Sequence, residues 1–197
     1  MDRPASSEHA PFYERYVALV PGTDVLGVLE RQVDELRRLA AALDAEREEH
    51  RYAPGKWSVR EVLGHVRDGE REFGHRAFRF SRADPTPLPG FEENHYVAAA
   101  SFDRRPASAI VAELTLLREA NLAMLRQLPD EAWERTGTAS GMSVSVRALA
   151  FILAGHLQHH LNVLRERYGV AAAPSESDLE GSVASQAASA APFLGTR

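Results

Sequence analysis

The feature that most constrains the fold is a helical period that recurs in four long segments of the chain. In each segment apolar residues return every three or four positions, which places them on one face of a helix. The first segment shows the pattern with Val25, Leu29, Val33, Leu36, Leu39 and Leu43. No segment shows the strict alternation that is typical of a strand. The pattern therefore predicts an all-α chain, and four amphipathic helices of similar length predict a four-helix bundle.

Local signals set the bounds of the predicted helices. The helices are expected over residues 24–50, 59–81, 106–128 and 145–168. Thr23 or Asp24 can cap the first, Ser58 and Glu61 form a capping box at the second, and Gly169 closes the fourth. A proline-rich loop over 84–90 precedes a short helix over 92–100, and the small, polar stretch 136–143 is expected to be a loop.

The chain has one predicted domain and a tail. Residues 1–169 are expected to form a single domain, of which 1–21 are an irregular lead-in that ends at a Pro-Gly pair. Residues 170–197 are rich in alanine and serine, and they predict a loosely ordered C-terminal tail.

Composition excludes several classes of protein. The chain contains no cysteine, which removes disulfides, thiolate metal sites and cysteine nucleophiles, and which fits a cytoplasmic location. The net charge is −5 without a basic cluster, so nucleic acid is not an expected partner. No apolar run approaches the roughly 18 residues that cross a bilayer, so a membrane is not expected either.

Two histidines share the apolar face of the fourth helix. His156 and His160 are four residues apart and fall within the stripe that continues through Leu149, Leu153 and Leu157. Side chains at this spacing lie one above the other, so both imidazoles can bind one metal ion. The alternative interpretation is a pair of polar residues in the core. His159 leaves the helix on another face and is interpreted as a residue at the rim of a site.

A third histidine strengthens the metal hypothesis. His65 lies at the edge of the apolar face of the second helix, beside Val62 and Val66. Three neutral imidazoles that face one cavity suit a divalent ion, Zn²⁺ or Ni²⁺, and leave one coordination position for water or a substrate. Without the pair on the fourth helix, His65 would be interpreted as an ordinary boundary histidine.

Other polar residues have two interpretations. Glu70 on the second helix and Asn121 on the third lie on apolar faces, so each needs a partner. Either could orient a ligand histidine, or could instead pair with an arginine or a helix end. His95, after the proline-rich loop, could overhang the site, although a surface position is equally consistent with the sequence.

Two segments resemble a known family. The run from Tyr52 to His65, followed by Asp68 and Glu70, resembles the helix-two signature of the DinB/YfiT-like superfamily, and the run from Gly155 to Leu161 resembles its second signature. The resemblance covers roughly residues 12–169. It implies a four-helix bundle, often dimeric, with a metal ion on His65, His156 and His160. It also implies a metal-dependent hydrolase or a thiol S-transferase that uses a low-molecular-weight thiol.

Three hypotheses of function therefore stay open. The first is a metal-dependent enzyme that acts on a small molecule as a thiol S-transferase or a hydrolase, with the thiol supplied by a cosubstrate. The second is a non-catalytic metal- or ligand-binding module of a stress response. The third is a structural bundle whose histidines bind nothing. No feature of the sequence selects the metal, the substrate or the thiol.

Overall fold

The computed structural model describes residues 2–172, and its element order confirms the predicted helical bundle, to which a small hairpin is added. The helices are α1 (Glu14–Val17), α2 (Val25–Ala41), α3 (Ala45–Glu49), α4 (Val59–Ser81), α5 (Glu93–Ala100), α6 (Ala107–Leu125) and α7 (Val146–Tyr168). A hairpin of β1 (Thr136–Ala139) and β2 (Met142–Ser145) precedes α7. Helices α2, α4, α6 and α7 form the bundle. Most of the tail expected over 170–197 lies outside the described residues.

Caps position the two helices that carry the histidines, and two of these caps, the capping box of α4 and Gly169 of α7, were predicted. At the start of α4 the Ser58 hydroxyl accepts from the Glu61 amide at 3.2 Å, and the Glu61 carboxylate accepts from the Ser58 amide at 2.7 Å. At the start of α7 the Ser145 hydroxyl accepts from the Ala148 amide at 2.9 Å. Gly169 closes α7 in the left-handed conformation, at φ 66°. These caps satisfy helix-end groups that would otherwise lack partners, and so they fix where both helices begin and end.

The prediction of one continuous first helix over 24–50 was wrong. Helix α2 ends at Ala41, and a separate short helix, α3, follows. The break has a local cause, because the Asp44 carboxylate accepts from the Arg47 amide at 2.9 Å and caps a new helix. At the other end, Asp24 caps α2 by accepting from the Gly27 amide at 3.0 Å, as one of the two predicted candidates.

The prediction that 136–143 is a loop, and that the chain has no strand, was also wrong. Strands β1 and β2 pair antiparallel around a two-residue turn. The turn residues Ser140 and Gly141 both have positive φ, 54° and 77°, which is the backbone that closes a tight hairpin. Ala139 and Val144 are buried, so the hairpin packs on the bundle despite its small and polar composition.

The lead-in, expected to be irregular, contains short helical elements and packs on α7. Tyr16 and Val17 of α1 are buried. The close approach depends on Gly155 of α7, where an ideal Cβ would stand only 2.0 Å from the Tyr16 carbonyl oxygen. A side chain at this position would push α1 away, so the glycine allows the lead-in to pack against α7.

A polar layer divides the bundle core into two apolar clusters. One cluster includes Leu29, Phe73, Phe80, Leu125 and Phe151, and the other includes Leu36, Leu63, Ile110, Leu114 and Leu161. Along each bundle helix a buried polar residue lies between the two sets, and these residues are Gln32, Glu70, Arg118 and His156. No helix of the described part is long and apolar enough to span a bilayer.

Candidate metal centre

The three predicted histidines come together where α4 meets α7. One ligand atom from each of His65, His156 and His160 can be chosen so that all three lie within 4.8 Å of one another. The ring centroids form a nearly regular triangle with sides of 4.9, 4.8 and 4.7 Å. Helices α4 and α7 are therefore neighbours, as the convergence of their histidines required.

One contact within this triad is short enough for a shared ion. The Nε2 atoms of His65 and His156 lie 3.0 Å apart. Two nitrogens at about 2.0–2.1 Å from one zinc ion stand about 3.3 Å apart at the tetrahedral angle, so the observed separation is close to that of two ligands. The Nδ1 atom of His160 is buried and has no hydrogen-bond partner among the described residues. A buried ring nitrogen without a hydrogen-bond partner can donate its lone pair to a metal ion.

Burial keeps the three imidazoles neutral. It lowers the pKa of His65 to about 4, with a smaller contribution from His159. It also lowers the pKa of His156 and of His160 well below the usual value, and the neighbouring histidines add to the effect. A neutral imidazole offers a free lone pair to a metal, so these shifts favour coordination over protonation at neutral pH.

Aromatic rings hold the imidazoles in place. Trp57 packs on His65 with ring centroids 5.0 Å apart. Tyr16 and Phe73 meet the His156 ring edge-on at 5.3 and 5.5 Å. Gly69 of α4 lies directly under the same ring, and an ideal Cβ there would stand 2.7 Å from the His156 Cε1 atom. The imidazole of His156 is thus confined on three sides.

A cavity of about 270 Å³ opens on the triad, and it is called the aromatic cavity here. It is lined by His65 and His156, by aromatic side chains and by two carboxylates; the aromatic residues are Phe12, Tyr13, Tyr16, Phe73 and Phe91. Glu93 of α5 approaches His65, with 3.9 Å between the carboxylate Oε2 and the Nε2 atom. Phe91, Glu92 and Glu93, which follow the proline-rich loop, form part of the cavity wall.

Sequence reasoning missed the lead-in as part of this site. Phe12, Tyr13 and Tyr16 line the cavity, although residues 1–21 were expected to be irregular. The Arg15 guanidinium stacks on Phe12 at 3.9 Å and donates to the Tyr16 hydroxyl at 2.8 Å. Aromatic residues at 12, 13 and 16 were the available signal, but a helix of four residues has no period to detect.

Glu70 bonds both to an arginine and to Asn121. The buried guanidinium of Arg118 donates to both Glu70 oxygens, at 2.9 and 2.7 Å, and Asn121 donates to Glu70 Oε1 at 2.8 Å. Arg118 also donates to the Gln32 side chain at 2.7 Å. Among the described residues, neither Glu70 nor Asn121 bonds to a histidine. Glu70 thus pairs with an arginine, which is one of its two interpretations, whereas Asn121 bonds to Glu70.

The two histidines predicted at the rim occupy different places. His159 is half-buried, with its ring centroid 5.0 Å from that of His160 and 5.5 Å from that of Tyr16. His95 of α5 is exposed and does not line the aromatic cavity. His159 thus lies beside the triad, whereas His95 faces solvent.

Comparisons with known proteins agree with this architecture. The sequence profile of the DinB superfamily matches residues 28–164. No protein of curated function matches the sequence significantly. A solved structure from Bacillus subtilis, YfiT, described as a probable metal-dependent hydrolase with an unusual four-helix bundle topology, superposes with a TM-score of 0.64 at 19% identity, over 85% of this chain and 94% of its own.

A second solved structure is that of a mycothiol-dependent maleylpyruvate isomerase. It superposes with a TM-score of 0.59 at 18% identity and covers 79% of this chain. The match spans only 64% of the isomerase, so part of that protein has no counterpart here. At 19% and 18% identity, both similarities show a shared fold alone. Because the profile match extends over more than half of the sequence, the chain belongs to the DinB superfamily.

Proposed function

We propose that this protein is a metal-dependent enzyme that acts on a small molecule, as a thiol S-transferase or a hydrolase. The proposal assigns one divalent ion, zinc or nickel, to His65, His156 and His160. The observation that carries it is the triad itself, in which three neutral imidazoles, two of them buried and that of His160 half-buried, converge beside a cavity. An ion on three imidazoles keeps one position for an external ligand and lowers the pKa of a water or thiol bound there.

The chain's own residues supply the remaining functions. The aromatic wall of the cavity excludes water and fits the apolar part of a small substrate. The Glu93 carboxylate, at 3.9 Å from His65, is placed to accept a proton from a nucleophile that approaches the triad. The chain has no cysteine, so a thiol that takes part in the reaction must come from a second substrate.

The fold relatives support the proposal. One is described as a probable metal-dependent hydrolase and the other depends on mycothiol, and both share the bundle that carries this triad. We also propose that the protein forms a homodimer, as the family resemblance implies. Light scattering should then give twice the 21.7 kDa mass of the chain, and a mass of one chain would remove the dimer.

Turnover with and without metal tests the proposed activity. Untagged protein is assayed with a small thiol and a generic electrophile such as 1-chloro-2,4-dinitrobenzene, and separately with simple esters and amides. We expect activity to vanish with a chelator, to return with Zn²⁺ or Ni²⁺, and to be lost in His160→Ala. His75→Ala is the matched control, because His75 is an exposed histidine of α4.

Two outcomes would count against the enzyme. Undiminished turnover by metal-free protein would contradict the mechanism. A metal-loaded protein that is inert toward every thiol, ester and amide would instead favour the binding-module hypothesis.

A further inference from the structure

The histidine triad separates two cavities. His65 and His156 line the aromatic cavity, whereas His160 lines a second cavity of about 300 Å³ on its other side. Glu93 borders both. A ligand in either cavity can therefore reach the triad without occupying the other one.

The second cavity has a fixed aromatic wall. Tyr52 and Tyr168 pack edge-to-face with ring centroids 4.9 Å apart, and the Tyr168 hydroxyl donates to the Trp57 carbonyl at 2.8 Å. Trp57 also lines this cavity while it packs on His65. These rings are held by contacts with one another, so the wall offers a flat apolar surface to a ligand.

Among the described residues that line this cavity, one carries a positive charge. Lys56 lines it and is the only lysine of the chain. Its side chain is exposed and makes no ion pair within the described residues 2–172. The carboxylate that borders the cavity, Glu93, lies at the triad, 3.9 Å from His65. The charges thus favour a ligand whose anionic end lies at Lys56 and points away from Glu93.

We propose that the second cavity binds a second small molecule, one with a flat or apolar body and a single anionic group such as a carboxylate. Its anionic group pairs with Lys56, its body packs on Trp57, and its other end reaches His160. This inference rests on the proposed function and makes it more specific. A water nucleophile needs no cavity of its own, so two cavities at one triad favour transfer between two substrates over hydrolysis.

Binding of a charged probe and its neutral analogue tests the inference. Benzoate and benzamide have nearly the same size and shape, and they differ in charge. The chain has two tryptophans, so Trp133→Phe leaves Trp57 as the only tryptophan, and its fluorescence reports on the cavity that it lines. The titration uses protein freed of metal by a chelator, so that benzoate cannot bind through a metal ion. If Trp133→Phe does not fold, the NMR signal of the Trp57 indole N–H gives the same information in the protein that keeps both tryptophans.

We expect benzoate to change the Trp57 signal and to bind about three- to fivefold more weakly in Lys56→Gln, the effect of one exposed ion pair. Benzamide should bind equally to both proteins. Arg31→Gln is the matched control, because it removes one exposed positive charge on α2, away from this cavity. Its benzoate affinity should equal that of the parent protein.

Equal benzoate affinity in Lys56→Gln and the parent would overturn the inference, and so would the absence of a Trp57 response up to the solubility limit. Because the titration is done without metal, its result does not depend on the proposed catalytic ion. Failure of the metal-dependent activity would leave this binding result intact. Failure of benzoate binding would likewise leave the proposed metal-dependent activity standing.

Discussion

The Nε2 atoms of His65 and His156 lie 3.0 Å apart, although 91 positions separate the two residues in the chain. Their contact lies where α4 packs against α7. Gly69 makes it possible, since it leaves room for the His156 ring against the backbone of α4. The triad is therefore built into the packing of the bundle helices.

The Gly69 position tests this packing argument. Gly69→Ala places a methyl group where the ring of His156 stands, so we expect zinc affinity to fall about tenfold to 100-fold. Gly74→Ala is the matched control, because it lies on the same helix, gains the same helix propensity and meets the Asn121 side chain instead. Calorimetric zinc titration of both variants gives the comparison. Equal zinc affinities in the two variants would contradict the argument.

The Glu70–Arg118 pair is expected to govern stability. Arg118→Met leaves the Glu70 carboxylate buried without its partner, so the free energy of unfolding should fall by about 3–5 kcal/mol. The double variant Glu70→Gln/Arg118→Met should recover part of this loss, because no buried charge then remains unpaired. Urea unfolding measures both variants. A double variant no more stable than Arg118→Met would show that the charge pair is not the cause.

The bounds of α4 and α7 could be predicted because their signals are local. The capping box of α4 and the C-terminal glycine of α7 act within one turn of each helix. The spacing of His156 and His160 is equally local, and it placed both on one face. Bringing in His65 required a helix-to-helix contact, which the resemblance and the geometry of the helices indicated together.

The remaining features depend on contacts that are distant in sequence. In the sequence, Arg118 is one polar residue among several on α6. Its pairing with Glu70 of α4 is seen only in the folded structure. The hairpin was missed because its strands have four residues each and small side chains, although the Ser140-Gly141 pair is a turn signal. The aromatic residues of the lead-in became part of the site only because Gly155 allows the lead-in to approach α7.

Stability should depend on pH through the buried histidines. The pKa of His65 is lowered to about 4 in the folded protein, from 6.5 in the unfolded chain. Protonation thus favours the unfolded state, so the stability is fully present above pH 6.5 and falls as the pH is lowered toward 4. His65 alone contributes on the order of 3 kcal/mol to this loss in metal-free protein.

Urea unfolding of metal-free protein at several pH values measures this dependence. His65→Gln lacks the titrating group and should show a shallower decline between pH 6.5 and 4. His75→Gln, which changes an exposed histidine, should decline as the parent does. A His65→Gln curve as steep as that of the parent would mean that another group causes the loss.

The most direct test of the metal centre is the zinc stoichiometry of untagged protein, measured by isothermal titration calorimetry. One tightly bound ion per chain is predicted for the parent protein. His65→Ala, His156→Ala and His160→Ala should each abolish tight binding, whereas His159→Ala, whose side chain lies beside the triad, should retain it. Zinc binding that survives the loss of any triad histidine, or that is lost in His159→Ala and kept in His160→Ala, would contradict the assignment.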